Sequence, residues 1–356
     1  MQVWVHKEKT MTPLYISRRS LVGGFLSSTI SSIAAAEDGS GSVRLAQDQA
    51  GNPPQRATEM LNSIKHVDAG VLNIGYVEMG PASGWPVVLL HGFPYDIHAY
   101  DEVAPQLAAA GARVIVPYLR GYGPTTFLSS TTPRSGQQGA LGADLLALLD
   151  ALKISSALLA GYDWGGRAAC VVAALWPDRA RGLVSYNSYN IQNIAKAMEP
   201  DKPEGEYGIW YQYYMQTERG RAGLKKDRRA FCNLLWKLWS PTWKFDEATF
   251  ERTAQSFDNP DFVDVVIHSY RHRFGVVPGD PNYDEIEQRL ARQPDITVPT
   301  VTLDGATDGI RPAGTAAQAV HFTGRHEHRV IQNAGHNISQ EAPGAFVEAV
   351  LTVHKW

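Results

Sequence analysis

Asp163 stands in the stretch "GYDWGG", residues 161–166, between an apolar run and a string of small residues. A carboxylate has a reference pKa of about 4, so it is an anion at neutral pH and can attack without a base, as a serine cannot. What it attacks best is a saturated carbon bearing a leaving group, and the product is an alkyl ester on the protein. Water must then split that ester, and this second step needs a base. His336, in "AGHN" after the last apolar run, is the candidate. Its partner should be an acid that fixes the ring's tautomer and stabilises the imidazolium. Asp304 and Asp308, both in "DGATDG", are available for that role.

The elements that must hold these residues follow from hydrophobic patterning. "VLNIGYVEM", "WPVVLLHGFP", "ARVIVPYLRGYG", "SALLAG" and "ARGLVSYN" read as strands. Helical patterns lie between them: "DEVAPQLAAAG" closes on Gly111, and "LGADLLALLDALKI" sets Leu141, Leu145, Leu148, Leu149 and Leu152 on one face. Strands alternating with helices predict parallel βαβ units covered on both faces. The alternation stops at residue 188. From 188 to 294 the composition is helical and dense in Trp, Tyr, Lys and Arg, after which "VPTVTLDG" and "HRVIQNAG" resume as strands and "GAFVEAVLTVHKW" ends in a helix. A helical cap inserted between two parts of a core, 68–187 and 295–356, is the expected organisation.

Asp163 therefore falls on a sharp strand-to-helix turn, the position a serine takes in the GxSxG nucleophile turn. "HGFP" (91–94), "RGYG" (120–123), "GYDWGG" (161–166), "DGATDG" (304–309) and "AGHN" (334–337) each close an apolar run. In this order they resemble the α/β-hydrolase fold, and within it the aspartate-nucleophile branch of epoxide hydrolases and haloalkane dehalogenases. The resemblance implies a mostly parallel central sheet with helices on both faces and a helical cap. It assigns Asp163 as nucleophile, His336 as base and Asp308 as its acid by motif position, leaving Asp304 a structural role at the strand end. The backbone amides of Phe93 and Trp164 become the oxyanion donors, and His91 is counted with the binding groups.

The leaving group separates the two branches. A halide departs without a proton, whereas an epoxide oxygen leaves as a strongly basic alkoxide and gains from an acid. "WYQYYMQTE" and "HSYRHRFG" resemble the two tyrosine segments of epoxide hydrolase caps, matching Tyr211 and Tyr270, with Tyr213 and Tyr214 as fallbacks in a shifted register. Tyr118 and Pro124 depart from the pattern around "RGYG" without touching the chemistry. Phe93, where the dehalogenases tend to have Asn, argues for epoxide opening to a diol through an ester on Asp163. A haloalkane dehalogenase, with Trp164 as one halide donor, and a binding protein that has lost turnover are the alternatives.

Composition bounds the partners. In 356 residues the net charge is −3, which offers no basic field for nucleic acid. Cys170 and Cys232 are too few for a disulfide framework. His268 and His272 lack an acidic third ligand at regular spacing, and Trp210, Trp236, Trp239 and Trp243 read as core and pocket lining. No metal or cofactor is expected, only a small apolar substrate and water. Arg18 and Arg19 precede a Gly- and Ser-rich apolar stretch ending at Ala36, the layout of a twin-arginine export signal over 1–36. Met11 is an alternative start, 37–67 an N-terminal extension, and the expected address periplasmic or secreted.

Overall fold

The computed structural model describes residues 64–356; the expected export signal and nearly all of the extension lie outside the described residues. A nine-stranded sheet runs through the protein in the order β1-β2-β4-β3-β6-β7-β8-β9, with β5 paired to β2. The strands are β1 (Lys65–Ala69), β2 (Leu72–Met79), β3 (Trp85–Leu90), β4 (Ala112–Pro117), β5 (Thr126–Phe127), β6 (Ala157–Gly161), β7 (Ala180–Tyr186), β8 (Thr300–Gly305) and β9 (His326–Ile331). From β4 through β9 along the sheet every pairing is parallel, whereas β2 pairs antiparallel with β1, β4 and β5.

The central strands carry no alternation because both faces are covered. β6 is buried at all five positions, and α1 (Val103–Ala109), α2 (Gln138–Ala151) and α3 (Asp163–Leu175) supply the cover. Leu141, Leu145, Leu148 and Leu149 of α2 are buried as the spacing predicts, while Leu152 falls just past the helix end. Gly111 takes φ +88 after α1, the left-handed geometry a helix end favours. Two strands differ from expectation. β1 begins at Lys65, ahead of Asp68, and its exposed outer edge gave no alternating signal. β5 is two residues long, too short for any period to register.

Between β7 and β8 the structure is helical: α4 (Pro203–Gly208), α5 (Trp210–Gln216), α6 (Glu218–Lys226), α7 (Arg228–Trp239), α8 (Glu247–Ala254), α9 (Phe262–His272) and α10 (Asp284–Leu290). After β9 come α11 (Ile338–Glu341) and α12 (Pro343–His354). The four tryptophans of this segment serve mainly packing. Trp236 donates its indole N–H to the Pro94 carbonyl at 2.8 Å and stacks on Trp243, and Trp239 borders the site described next. No helix among the described residues is long and apolar enough to cross a membrane.

Candidate active site

Asp163 opens α3 directly after β6, with φ +49. A left-handed aspartate is uncommon and costs energy, so the surrounding structure must impose it. It does so by close approach. A Cβ on Gly92 would lie 2.4 Å from Cβ of Asp163, and one on Gly165 would lie 2.1 Å from the Leu90 carbonyl oxygen. Glycine at both places lets β3 and α3 come together and pushes the carboxylate into the space above the strand ends.

The carboxylate meets three groups there. The Phe93 amide donates to Oδ1 at 2.7 Å. His336 places Nε2 3.9 Å from Oδ2, and that nitrogen is buried without a hydrogen-bond partner. Trp164, second residue of α3, has an amide at a position where helix geometry provides no acceptor, and its indole Nε1 is likewise buried and unpartnered. Burial works against the charge on Asp163, but His336, Arg167 and the Phe93 amide outweigh it and hold the carboxyl below the usual range.

His336 is held from several directions. Its Nδ1 lies 3.0 Å from Oδ2 of Asp308, which also accepts from the Asn187 side chain at 3.2 Å and has the Tyr186 hydroxyl at 2.9 Å. Asp308 Oδ1 accepts the amides of Ile310 and Arg311. The backbone N–H of His336 donates to the Trp239 carbonyl at the end of α7, and Glu341 accepts the neighbouring amides of Gly335 and Asn337. Burial disfavours the imidazolium, yet the Asp308 and Asp163 carboxylates overcome it and push His336 up to about 9. Burial also opposes ionisation of Asp308, whose carboxyl is nonetheless held low by His336 and its donors.

Facing this group are two phenols from the helical segment. Tyr211 of α5 and Tyr270 of α9 pack edge to face at 5.4 Å, and Tyr270 also meets Phe93 edge-on at 5.4 Å. Tyr211 accepts a hydrogen bond from Gln212 at 3.1 Å, while the buried hydroxyl of Tyr270 has no partner. Burial, opposed in part by Arg273, pushes Tyr211 up to about 12 and Tyr270 higher still, so both phenols keep their protons at neutral pH. A cleft of about 470 Å³, lined by Asp163, His336, Tyr211, Gln212 and Arg167 among others, gives access from outside.

Other sequence candidates lie elsewhere. His91 is a correction: its Nε2 accepts the Leu119 amide at 3.1 Å and its Nδ1 is 3.0 Å from the Gly92 carbonyl, so neither ring nitrogen is left for a substrate. It pins the loop that carries Phe93, and full burial drives its pKa down to about 4. Asp304 spends both oxygens on Thr315. Tyr213 is 40% exposed and bonds Glu206, and Tyr214 stacks on Phe231, which takes both away from Asp163. His268 has one ring nitrogen on the Gly136 amide and the other at the Pro278 carbonyl, leaving none for a metal. Tyr186, Asn187, Glu341, Arg167 and Arg273 had no motif to mark them. The one available signal was the spacing of Arg167, one helical turn after Asp163.

A nucleophilic carboxylate on a strand-to-helix turn, a histidine on a late loop and a parallel sheet with an inserted helical segment define a class of protein. The family model for the alpha/beta hydrolase fold matches residues 86–343, and the chain belongs to that family. A Klebsiella pneumoniae protein, provisionally named an epoxide hydrolase in its crystal structure, is 50% identical, with a TM-score of 0.81 over 83% of this chain and 99% of that one. An epoxide hydrolase of Caballeronia sordidicola is 32% identical over 126 residues, 35% of this chain but only 38% of the relative's length. A haloalkane dehalogenase of Psychrobacter cryohalolentis is 25% identical over 79% of this chain and 86% of its own.

Proposed function

We propose that this protein hydrolyses an epoxide to a diol through an alkyl ester on Asp163. The observation that carries the reading is the facing arrangement of two protonated, buried phenols, Tyr211 and Tyr270, and an ionised Asp163 backed by His336. With Oδ1 engaged by the Phe93 amide, Oδ2 is the attacking atom. It bonds to an epoxide carbon, the C–O bond of the ring breaks, and a tyrosine gives the departing oxygen its proton.

Ester formation removes the charge of Asp163, and with it one of the two carboxylates that raise His336. The imidazole pKa falls, the ring gives up its Nε2 proton, which neutralises the phenolate, and the neutral ring becomes a competent base with Asp308 holding Nδ1. Its Nε2 takes a proton from water as the water attacks the ester carbon. The tetrahedral oxyanion then falls to the amides of Phe93 and Trp164, each such donor being worth about 3 kcal/mol in comparable sites. Collapse releases the diol, which takes a proton from the imidazolium, and the proton left on the regenerated Asp163 carboxyl passes to the imidazole, restoring the resting ion pair.

The unpartnered Trp164 indole supports a second reading, halide release from a haloalkane. Phe93 supplies no side-chain N–H beside it, and the phenols would then be idle. Single turnover in heavy-oxygen water tests the chemistry: label is expected in Asp163, with diol as product. Unlabelled Asp163 alongside diol would refute the ester, and halide release in place of diol formation would select the second reading.

A further inference from the structure

Two arginines line the cleft beside Asp163, and the proposed reaction uses neither. Arg167 stands on α3 one turn beyond the nucleophile, 7% exposed, and its side-chain hydrogen bond runs from Nε to the Asn190 carbonyl at 3.2 Å. Arg273 caps α9, 8% exposed, with its guanidinium 4.4 Å from the centre of the Tyr270 ring. Its Nη1 reaches Gln212 Oε1 at 3.3 Å, while Nε and Nη2 are buried without partners.

Among the described residues neither arginine forms an ion pair. Burying a cation without a counter-charge is costly, and placing two close together adds repulsion. That repulsion is felt: burial, then the charge of Arg273, bring Arg167 down to about 10. The acids nearby do not cancel it. Glu287 is committed to Gln137, Gln138 and the Gly139 amide, and Glu199 and Asp201 sit exposed in the lining of the cleft. Asp163 feels Arg167, but lies outside ion-pair distance of it and leaves Arg273 unexplained.

Buried guanidiniums that line a cleft without a counter-charge, one of them with unpartnered N–H groups, are suited to receive an anion, and their planar forks fit a carboxylate. Residues one helical turn apart have Cβ atoms about 6 Å from each other. Asp163 feels the charge of Arg167 and shares the cleft with both arginines, so an anion held there and the carbon that Asp163 attacks belong to one small molecule. Resting on the proposed ring-opening, we infer that Arg167 and Arg273 form a carboxylate subsite, and that the substrate is a short epoxy acid rather than the apolar epoxide the sequence suggests.

The test compares 3,4-epoxybutanoate with its methyl ester on the purified protein and on Arg167→Met, Arg273→Met and Arg273→Lys. The parent should favour the acid at least tenfold in kcat/KM. Each Met variant should cut that preference by about 10- to 100-fold, the range for one charge-assisted hydrogen-bonding group, and Arg273→Lys should keep part of it. Calorimetric titration of the parent with butanoate and with inorganic phosphate needs no turnover and no variant. Saturable butanoate binding that weakens in the Met variants supports the subsite even if no epoxide is opened, in which case the ring-opening reading alone fails. Epoxide hydrolysis with the ester equal to or better than the acid, or butanoate binding untouched by the variants, overturns the subsite and leaves the reaction standing. Phosphate binding tighter than butanoate overturns the carboxylate assignment.

Discussion

His336 faces two carboxylates in the resting protein and one in the ester form, and the difference gives its titration a direction. It is protonated over most of the neutral range at rest, since Asp308 and Asp163 lift it to about 9 against the opposing effect of burial. Once Asp163 is esterified only Asp308 remains, so the base should become active at a lower pH. Rapid-quench measurement of ester breakdown is expected to show an acid limb well below pH 9; a limb still at 9 would mean that Asp163 does not influence the imidazole. Replacing His336 by Gln should leave alkylation in place and halt hydrolysis, so that intact-mass spectrometry finds the protein carrying one added epoxide mass. On the other side of the cleft the two phenols back each other up. Tyr270→Phe or Tyr211→Phe alone should slow alkylation modestly, and the double variant should slow it by about 100- to 10,000-fold, the usual worth of a positioned acid. An unchanged alkylation rate in the double variant would remove the proposed proton donors.

At the scale of elements, the turn from β6 into α3 depends on a backbone approach that a methyl group would obstruct. Gly165→Ala sets a Cβ 2.1 Å from the Leu90 carbonyl oxygen, and neither partner is a flexible side chain that could move away. A loss of about 2–4 kcal/mol in urea unfolding is expected. Gly344→Ala is the matched control: it lies early in α12 with nothing within 4 Å of the new Cβ, and helix propensity predicts a gain of about 0.5–1 kcal/mol. Equal effects at the two sites would show that packing at the turn does not restrict it. The same turn explains what was legible beforehand. Buried parallel strands leave continuous apolar runs, so β3, β4, β6, β7 and β8 could be read together with the residues at their ends, Phe93, Asp163 and Asp308. Residues that act through the third dimension left no such trace. Glu341 follows His336 by five residues yet works by accepting the amides on both sides of it, and Arg273 reaches the cleft only because α9 packs over Phe93 and Trp164. His91 misled for the opposite reason: a histidine beside the oxyanion loop carries the motif, but its ring serves the backbone.

For the molecule as a whole, the charge arrangement that prepares His336 also ties folding stability to pH. In the unfolded chain a histidine titrates near 6.5, whereas in the fold His336 titrates at about 9. A group whose folded pKa is raised stabilises the protein fully below its unfolded pKa, and that contribution is lost as pH rises through the folded value. The window for His336 therefore runs from about 6.5 to about 9. His98, lifted to about 9 by Asp96 and Asp101 despite its burial, contributes over the same range, so the total slope alone cannot identify the source. Asp163→Asn can, because it removes one carboxylate from His336 and touches neither Asp96 nor Asp101. Each tenfold change in proton affinity is worth about 1.4 kcal/mol. Between pH 6 and pH 9.5 the parent should thus lose on the order of 1–2 kcal/mol more stability than the variant. Urea unfolding of both proteins at the two pH values measures the difference directly, and parallel losses would mean that the Asp163 carboxylate does not hold the imidazolium in place.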